Sequence, residues 1–466
     1  MTENFQKLPS VDSVLSCVDI KPLFERYRRE LVVDVVRMVL KRWRKKISSS
    51  GTDSDRYVIL HSVCSDVRSF CLDWEKPSMR RIINATGIIL HTGLGRAPLA
   101  RSVQDSLLRS ASYTDIEFEL KSGLRGSRVK HVNGLLCQLC SAEAVAVVNN
   151  NAAAVILSLQ ALALDREVLV SRGQLVEIGG SFRIPDIIEA SGARLHEVGT
   201  TNRTHLTDYA SAINEHTGAL LIVHPSNFRV CGFTAETSVE DLAQLAQRAN
   251  IPLIYDLGGG ALFDLTTWGL PKEPVVSEEL ARGADIVTFS ADKVLGGPQA
   301  GLIAGRSELV DRMVGSPLMR ALRCDKLTYA ALSSTLTLYR LNPALLAGEL
   351  PVLGMLTIEA DSLFVRAEKL FSMLEPSIKQ VGIVISSEAH VGSGALPLTT
   401  LHSWAIALQT GQLSVEKVAK VLRGLEVPIV GRIESNRFLL DMRTVQESEI
   451  EQVAGALNVN LVPLLK

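Results

Sequence analysis

Residues 290–301 read SADKVLGGPQAG, a lysine beside an aspartate and followed at once by two glycines, a proline and a further glycine. A solvated surface lysine needs no such setting, but a lysine that must meet a ligand at one fixed depth does. Gly296, Gly297 and Gly301 allow tight turns and close approach of the backbone to a ligand. The preceding DIVTFS (285–290) reads as a strand, so Lys293 falls at the carboxyl edge of a sheet, with Ser290 placed to offer its hydroxyl to a phosphate. A lysine so placed could form a Schiff base with an aldehyde cofactor.

Pyridoxal phosphate makes two further demands. Its pyridine nitrogen needs a carboxylate if the ring is to act as an electron sink. Asp256 meets this demand, closing the apolar run PLIYD ahead of Gly258, Gly259 and Gly260; the alternative is a turn-capping aspartate. The cofactor's phosphate needs donors at a helix N-terminus. VVNNNAAAVILSL supplies a strand, then Asn149, Asn150 and Asn151, then an alanine-rich helix start at Ala152 whose small side chains let backbone N–H groups approach an anion. An asparagine N-cap without a ligand would look the same. The three features in this order are more specific than any one of them.

These residues need a scaffold, and the apolar runs describe it. AVAVVN (144–149), EVLVS (167–171), ALLIVH (219–224), PLIYD (252–256), DIVTFS (285–290) and AGLIAG (300–305) alternate with helical patterns. Near-continuous Val, Ile and Leu is the mark of parallel strands covered on both faces. A large α/β domain with a mostly parallel sheet is expected over 81–340, its ligand at the strands' carboxyl ends. Over 341–466, helical stretches (355–374, 413–424, 446–457) surround VPIVGRIESNRFLLDMR, which reads as two strands around an ESN turn and predicts a small α+β domain.

Residues 1–80 differ from both. The stretch 21–46 holds ten Lys/Arg against three Asp/Glu, a net of +7, with Val32, Val36, Val39 and Trp43 on one stripe, and predicts an amphipathic helix with a basic face. ISSSGTDSD (47–55) reads as a polar break before a second helix over YVILHSVCSDVRSFCLDW. The basic face is either a solvated face on a helical arm or a phosphate-binding surface.

The chain as a whole restricts the classes. Its 466 residues predict two or three domains, and 47% hydrophobic with 21% charged residues is an ordinary globular composition. With 49 basic and 50 acidic residues, nucleic acid would be drawn only by a local basic patch. The sequence offers no run long and apolar enough for a membrane span and no basic-then-apolar leader in MTENFQKLPSVDS, so a cytoplasmic location is expected. Seven cysteines at irregular spacing argue against a disulfide framework. Cys137 and Cys140 have CxxC spacing, but they lie in an apolar helical pattern with no second pair or nearby histidine, so buried helix cysteines and no metal site are expected.

INATGIILHTGLGRAPL, VVNNNAAAV, SRGQLVEIGGSFRIPD, HEVGTTNRT, HPSN, YDLGGG, SADKVLGGPQAG and RALRCDKLTYAAL together resemble the bacterial selenocysteine synthase (L-seryl-tRNA(Sec) selenium transferase) family, nearly end to end. The resemblance implies a fold-type-I pyridoxal phosphate transferase with Lys293 as its Schiff-base lysine, assembled as a homodecamer of five dimers, and an N-terminal domain that grips the selenocysteine tRNA. It implies that water is eliminated from seryl-tRNA(Sec) to give aminoacrylyl-tRNA, to which selenophosphate adds selenium. Arg96, Arg320 and Arg323 match the family's anion-binding arginines, and Arg320 and Arg323 at i and i+3 would share a face if helical. Each could instead be a structural salt bridge. Asp292 matches a residue proposed to assist proton transfer, or it tunes the charge of Lys293. His91 and His224 sit in matching motifs and read as hydrogen-bonded structural histidines.

Four positions depart from the family pattern: Gly93 for asparagine, Gln174 for glutamate, Gly259 for serine and Ala291 for glycine. They bear on rate or donor choice rather than on class. Two other functions stay open on sequence: a related lyase of small anionic amino acids, which leaves the basic N-terminal module unexplained, and an RNA-binding protein without catalysis, which leaves Lys293 and Asp256 unexplained.

Overall fold

A strand covered on both faces must be apolar on both, and the central runs of this chain are. In the computed structural model every residue of β8 (Thr217–Val223), β9 (Leu253–Gly258), β10 (Ile286–Ser290) and β11 (Gly301–Gly305) is buried. The structure describes residues 7–50, 55–178, 182–392, 394–397, 399–409, 411 and 413–465. They fall into two units, Met1–Arg81 and Ile82–Lys466.

In the second unit β1 (Ile83–Ala85) and β2 (Ile88–Leu90) come first in the chain but join the later of two sheets. The earlier sheet is built from β3 (Ala144–Val148), β4 (Glu167–Ser171), β7 (Arg194–Val198) and β8 to β11, with β5 (Glu177–Ile178) and β6 (Phe182–Arg183) forming a small separate ribbon. Its order is β3-β11-β10-β9-β8-β4-β7, and only β11 runs against its neighbours. Alternate residues feed two cores. Val148, Val170, Leu221, Ile254 and Ile303 pack beneath the helix Asn151–Ala163, and Val147, Leu169, Ile222, Tyr255 and Phe289 pack with the helices Lys130–Cys140, Val239–Ala249 and Lys326–Leu338. β7 is the strand missing from the apolar runs, because as a part-exposed edge it carries Arg194, His196 and Glu197.

The later sheet has the order β1-β14-β15-β13-β12-β2. β14 (Ile429–Glu434) and β15 (Arg437–Asp441) are the expected hairpin, turned at Ser435 and Asn436, whose φ values of 49° and 57° suit the right-handed twist of a two-residue turn. The sequence reading omits its longest members, β12 (Gly382–Gly392) and β13 (Thr400–Leu408). It also assigns 81–90 to the large domain, whereas β1 pairs with β14 and β2 with β12. Strands of three residues carry too little pattern to declare partners some 300 residues away. The single helix expected over 355–374 is two, Pro351–Thr357 and Ala360–Ser372.

The first unit holds the helices Val11–Leu15, Leu23–Arg26, Arg29–Ser50 and Arg56–Asp73. Val32, Val36 and Val39 are buried among Val14, Ile59, Val63 and Val67, and Trp43 is half-buried beside them. The one helix expected over 21–46 is broken where Tyr27 becomes extended, at φ −122° and ψ 154°. The expected polar break begins late, since the helix runs through Ser50, and residues 51–54 lie outside the described residues. In the second unit Cys140 is buried at the end of its helix, with burial pushing its thiol pKa up, and no group of metal-ligating side chains occurs among the described residues.

Candidate active site

β10 ends at Ser290, and the chain then folds tightly before returning as β11. Ala291 N donates to Ala300 O at 2.9 Å, Gly297 N to Ala291 O at 2.8 Å and Gly296 N to Lys293 O at 2.9 Å. Gly296 has φ +74°, and a Cβ there would lie 2.6 Å from Leu350 Cδ2, so this turn needs glycine. The turn holds Lys293 at 6% exposure. Burial pushes its ammonium pKa down; Asp256 and Asp292 oppose that, and Arg96 adds to it.

Asp256 stands on β9, next to β10, and is 3% exposed. Its Oδ1 accepts from Asn151 Nδ2 at 2.7 Å and from Thr288 Oγ1 at 3.1 Å. Burial raises the carboxyl's pKa, while Asn151, Thr288 and the Lys293 charge push it back. A buried carboxylate with donors on one oxygen and a lysine nearby is suited to a cationic ring nitrogen.

Asn150 and Asn151 do not offer their side chains to a phosphate. Asn150 is the N-cap of the helix Asn151–Ala163, accepting from Ala153 N at 2.9 Å, and the Asn151 amide is held by Asp256. Backbone N–H groups of Asn151 and Ala152, in the helix's first turn, are left as anion donors. Ser290 closes β10 opposite Gly301 and is 5% exposed.

The three predicted anion-binding arginines separate into two places. Arg96, at φ 63°, donates through Nη1 to Asp292 Oδ2 at 2.6 Å, so both settings proposed for Asp292 are qualified by an ion pair that fixes it as a carboxylate partner of Arg96. Arg320 and Arg323 are exposed and do not share a helical face. The helix Pro317–Leu322 ends before Arg323, which is extended at ψ 141° because Asn149 N donates to Leu322 O at 3.0 Å and Val148 bridges Arg323. Arg323 Nη1 lies 3.5 Å from Glu117 Oε1, and the same carboxylate holds Arg128 at 2.5 Å and Arg125 at 2.7 Å. Arg128, then Arg125, lower the Glu117 pKa to about 2. Glu117 had no signal in the sequence reading.

His224 Nε2 lies 3.6 Å from Glu273 Oε2, and Glu273 Oε1 accepts from Leu396 N at 2.8 Å, tying the loop after β12 to the site. His224 thus stands beside a carboxylate just beyond hydrogen-bond distance, and His91 keeps a buried Nδ1 with no partner among the described residues. Of the four departures, Gln174 accepts from Val223 N at 3.1 Å and so secures the end of β8. At Gly259 a Cβ would lie no closer than 3.4 Å to any atom, which leaves room for the family's serine. Ala291 is fully buried in the Lys293 turn, and Gly93 lies in the short turn Thr92–Leu94. The motif glycines Gly179 and Gly180 lie outside the described residues.

The site fits an aromatic aldehyde phosphate. Gly258 (φ +69°) and Gly394 (φ +68°) bring bare backbone up to the lysine's tip: a Cβ on Gly258 would lie 3.9 Å from Lys293 Nζ, and one on Gly394 would press on it. An amine, a buried carboxylate and a helix N-terminus thus meet beside glycine backbone, and these are the groups such a cofactor requires.

The comparisons with known proteins agree with this geometry. Residues 82–446 match the family described as L-seryl-tRNA selenium transferase, and residues 5–44 match the selenocysteine synthase N-terminal family. The chain is 46% identical over 461 residues to the L-seryl-tRNA(Sec) selenium transferase of Carboxydothermus hydrogenoformans, covering 98% of each. It is 45% identical over 459 residues to that of Geobacter metallireducens, covering 97% of this chain and 98% of the relative. Among solved structures, D-glucosaminate-6-phosphate ammonia-lyase superposes with a TM-score of 0.58 at 22% identity, over 83% of this chain and 97% of that one, a likeness of fold alone. The fold is that of the fold-type-I pyridoxal phosphate enzymes, and the chain belongs to the L-seryl-tRNA(Sec) selenium transferase family.

Proposed function

We propose that Lys293 is the residue on which this enzyme's chemistry turns, and that Asp256, Asn151, Ala152, Ser290, Asp292 and the arginines divide the supporting roles. The enzyme depends on pyridoxal phosphate and converts seryl-tRNA(Sec) to selenocysteinyl-tRNA(Sec) with selenium from selenophosphate. When bound, the cofactor supplies an electron sink for the substrate's Cα. Lys293 would hold its aldehyde carbon, Asp256 its ring nitrogen, and the N–H groups of Asn151 and Ala152 with the Ser290 hydroxyl its phosphate.

The residues' own work follows from their settings. The buried Lys293 amine, with its pKa lowered, is neutral for more of the time than a solvated lysine and can take the proton from the seryl Cα. Asp292, fixed by Arg96, places a carboxylate beside that amine to steer the proton. Asn151 and Thr288 favour the ionised form of Asp256 against the cost of burial, which raises its pKa. The seryl carboxyl is esterified to tRNA, so no arginine is needed for it. Arg96, Arg320 and Arg323 are left for selenophosphate, whose tetrahedral oxyanion suits the guanidinium fork.

At larger scale, residues 1–80 would grip the tRNA through the basic face of Arg29–Ser50, 81–340 carry the cofactor and 341–466 complete the site. The assembly would be a homodecamer of five dimers in the cytoplasm. No helix among the described residues is long and apolar enough to cross a membrane.

The observation that carries this reading is the buried Lys293 beside Asp256 at the carboxyl ends of β9 and β10. A single-turnover assay with seryl-tRNA(Sec) and selenophosphate tests it: Lys293→Ala should lose the visible absorbance of the bound cofactor and at least about 10²–10⁴-fold in rate. A Lys293→Ala protein that still forms selenocysteinyl-tRNA at the wild-type rate would overturn the assignment.

A further inference from the structure

Ser226, in the HPSN segment after β8, is 2% exposed, and its Oγ has no hydrogen-bond partner among the described residues. Burying a hydroxyl without a partner is costly, and such a group in a native fold calls for an explanation. Its neighbours supply one. A Cβ placed on Gly394 would press on Lys293 Nζ and lie 3.5 Å from Ser226 Oγ, and one on Gly258 would lie 3.4 Å from Oγ and 3.9 Å from Nζ. The amine and the hydroxyl thus flank the same two glycines in the left-handed region, without bonding to each other.

The backbone around the serine is fixed. Ser226 N donates to His224 O at 2.7 Å, and His224 N donates to Asp256 O at 2.9 Å, so the hydroxyl is registered on the strand that carries the buried carboxylate. An acceptor seated between Oγ and Nζ would satisfy both. The cofactor has one in the right place, since its ring hydroxyl oxygen is ortho to the aldehyde carbon that a lysine attacks.

We infer that Ser226 is a positioning residue that donates a hydrogen bond to the cofactor's ring oxygen beside Lys293. The inference rests on Lys293 as the cofactor's lysine. Its consequence is electrostatic. When the cofactor is bound, its ring oxygen would carry negative charge that favours a proton on the neighbouring Lys293 nitrogen, and a hydroxyl drawing off part of that charge would make the proton easier to lose. The other charged groups facing the site are Asp256 on β9, Asp292 with its partner Arg96, and Glu273 with His224; a Ser226 substitution leaves all of them in place.

The test is an absorbance titration of the cofactor-loaded protein without substrate. Ser226→Ala should move the midpoint upward by about 0.5–1 pH unit and weaken cofactor binding about 2–10-fold, while Ser226→Thr, which keeps the hydroxyl, returns the midpoint toward wild type. If Ser226→Ala does not fold, Ser226→Cys, nearly the same size with a weak donor, should show the upward move. An unmoved midpoint in a folded Ala or Cys variant overturns the role of Ser226 and leaves Lys293 untouched. A wild-type protein that takes up no cofactor, or takes it up equally as Lys293→Ala, overturns both.

Discussion

Two groups of charges in this enzyme carry opposite physics. Lys293 and Asp256 are buried, and desolvation heads the causes acting on each, pushing the lysine's pKa down and the aspartate's up. Glu117 and the arginines around it lie nearer the surface, with Glu117 and Arg128 half-buried and Arg125 and Arg323 exposed, and direct ion pairs push the Glu117 carboxyl down to about 2. The first arrangement buys reactivity, because an amine kept from its charge is a base. The second keeps all its charges, and its exposed Arg125 pair can change partners at little cost because such pairs are worth little and are screened by salt. We propose chemistry for the first group and capture of a small oxyanion for the second.

If that division holds, substitution in the buried group should do the larger damage. Asp256→Asn leaves the size of the side chain and removes the charge, so a ring nitrogen would lose its ionic partner while Asn151 and Thr288 would face an amide. The single-turnover rate should fall by about 10²–10³-fold, measured with saturating selenophosphate. A fall of less than about threefold would mean that Asp256 is held for packing alone.

Arg320→Ala comes next. Removing one charge-assisted hydrogen bond to an oxyanion costs about 10–100-fold in that ligand's use. Cofactor uptake and its absorbance should be unchanged, and the loss should appear at limiting selenophosphate and shrink as its concentration rises. Normal turnover at limiting selenophosphate would remove Arg320 from the anion site.

The sequence exposed these two groups unequally. Lys293 and Asp256 were legible because their signals are local: a strand end, a glycine run and an apolar stretch lie within a few residues of each. Their support was not. Asn151 reaches Asp256 across 105 positions, and nothing in NNNAAA says which asparagine caps the helix and which turns to the carboxylate. The parallel sheet was legible from its Val- and Leu-rich strands. β12 escaped because alternate residues of GIVISSEAHVG face solvent and weaken the apolar signal, and β1 because its partner lies at the other end of the unit. Arg320 and Arg323 were misread as one helical face because the spacing i, i+3 says nothing about where a helix stops. The stop is set by Asn149 and Val148, which draw the chain at Leu322 and Arg323 alongside β3.

The smallest predicted effect runs in the opposite direction. Glu117 is the internal anion of its cluster, and its carboxylate engages Arg125, Arg128 and Arg323 together. A tetrahedral oxyanion seeking Arg323 must compete with it, and Glu117→Gln removes the competitor's charge while keeping its shape. Affinity for inorganic phosphate, measured by calorimetry at low salt, should therefore rise by about twofold to fivefold. The gain should fade as salt is raised, since screening weakens the carboxylate's hold in the wild type as well. In Arg323→Ala the same Glu117 substitution should give less. A Glu117→Gln protein that binds phosphate more weakly would show that the carboxylate orders the arginines rather than competing for them, and the Glu117 group would then share the fixed geometry of the buried one.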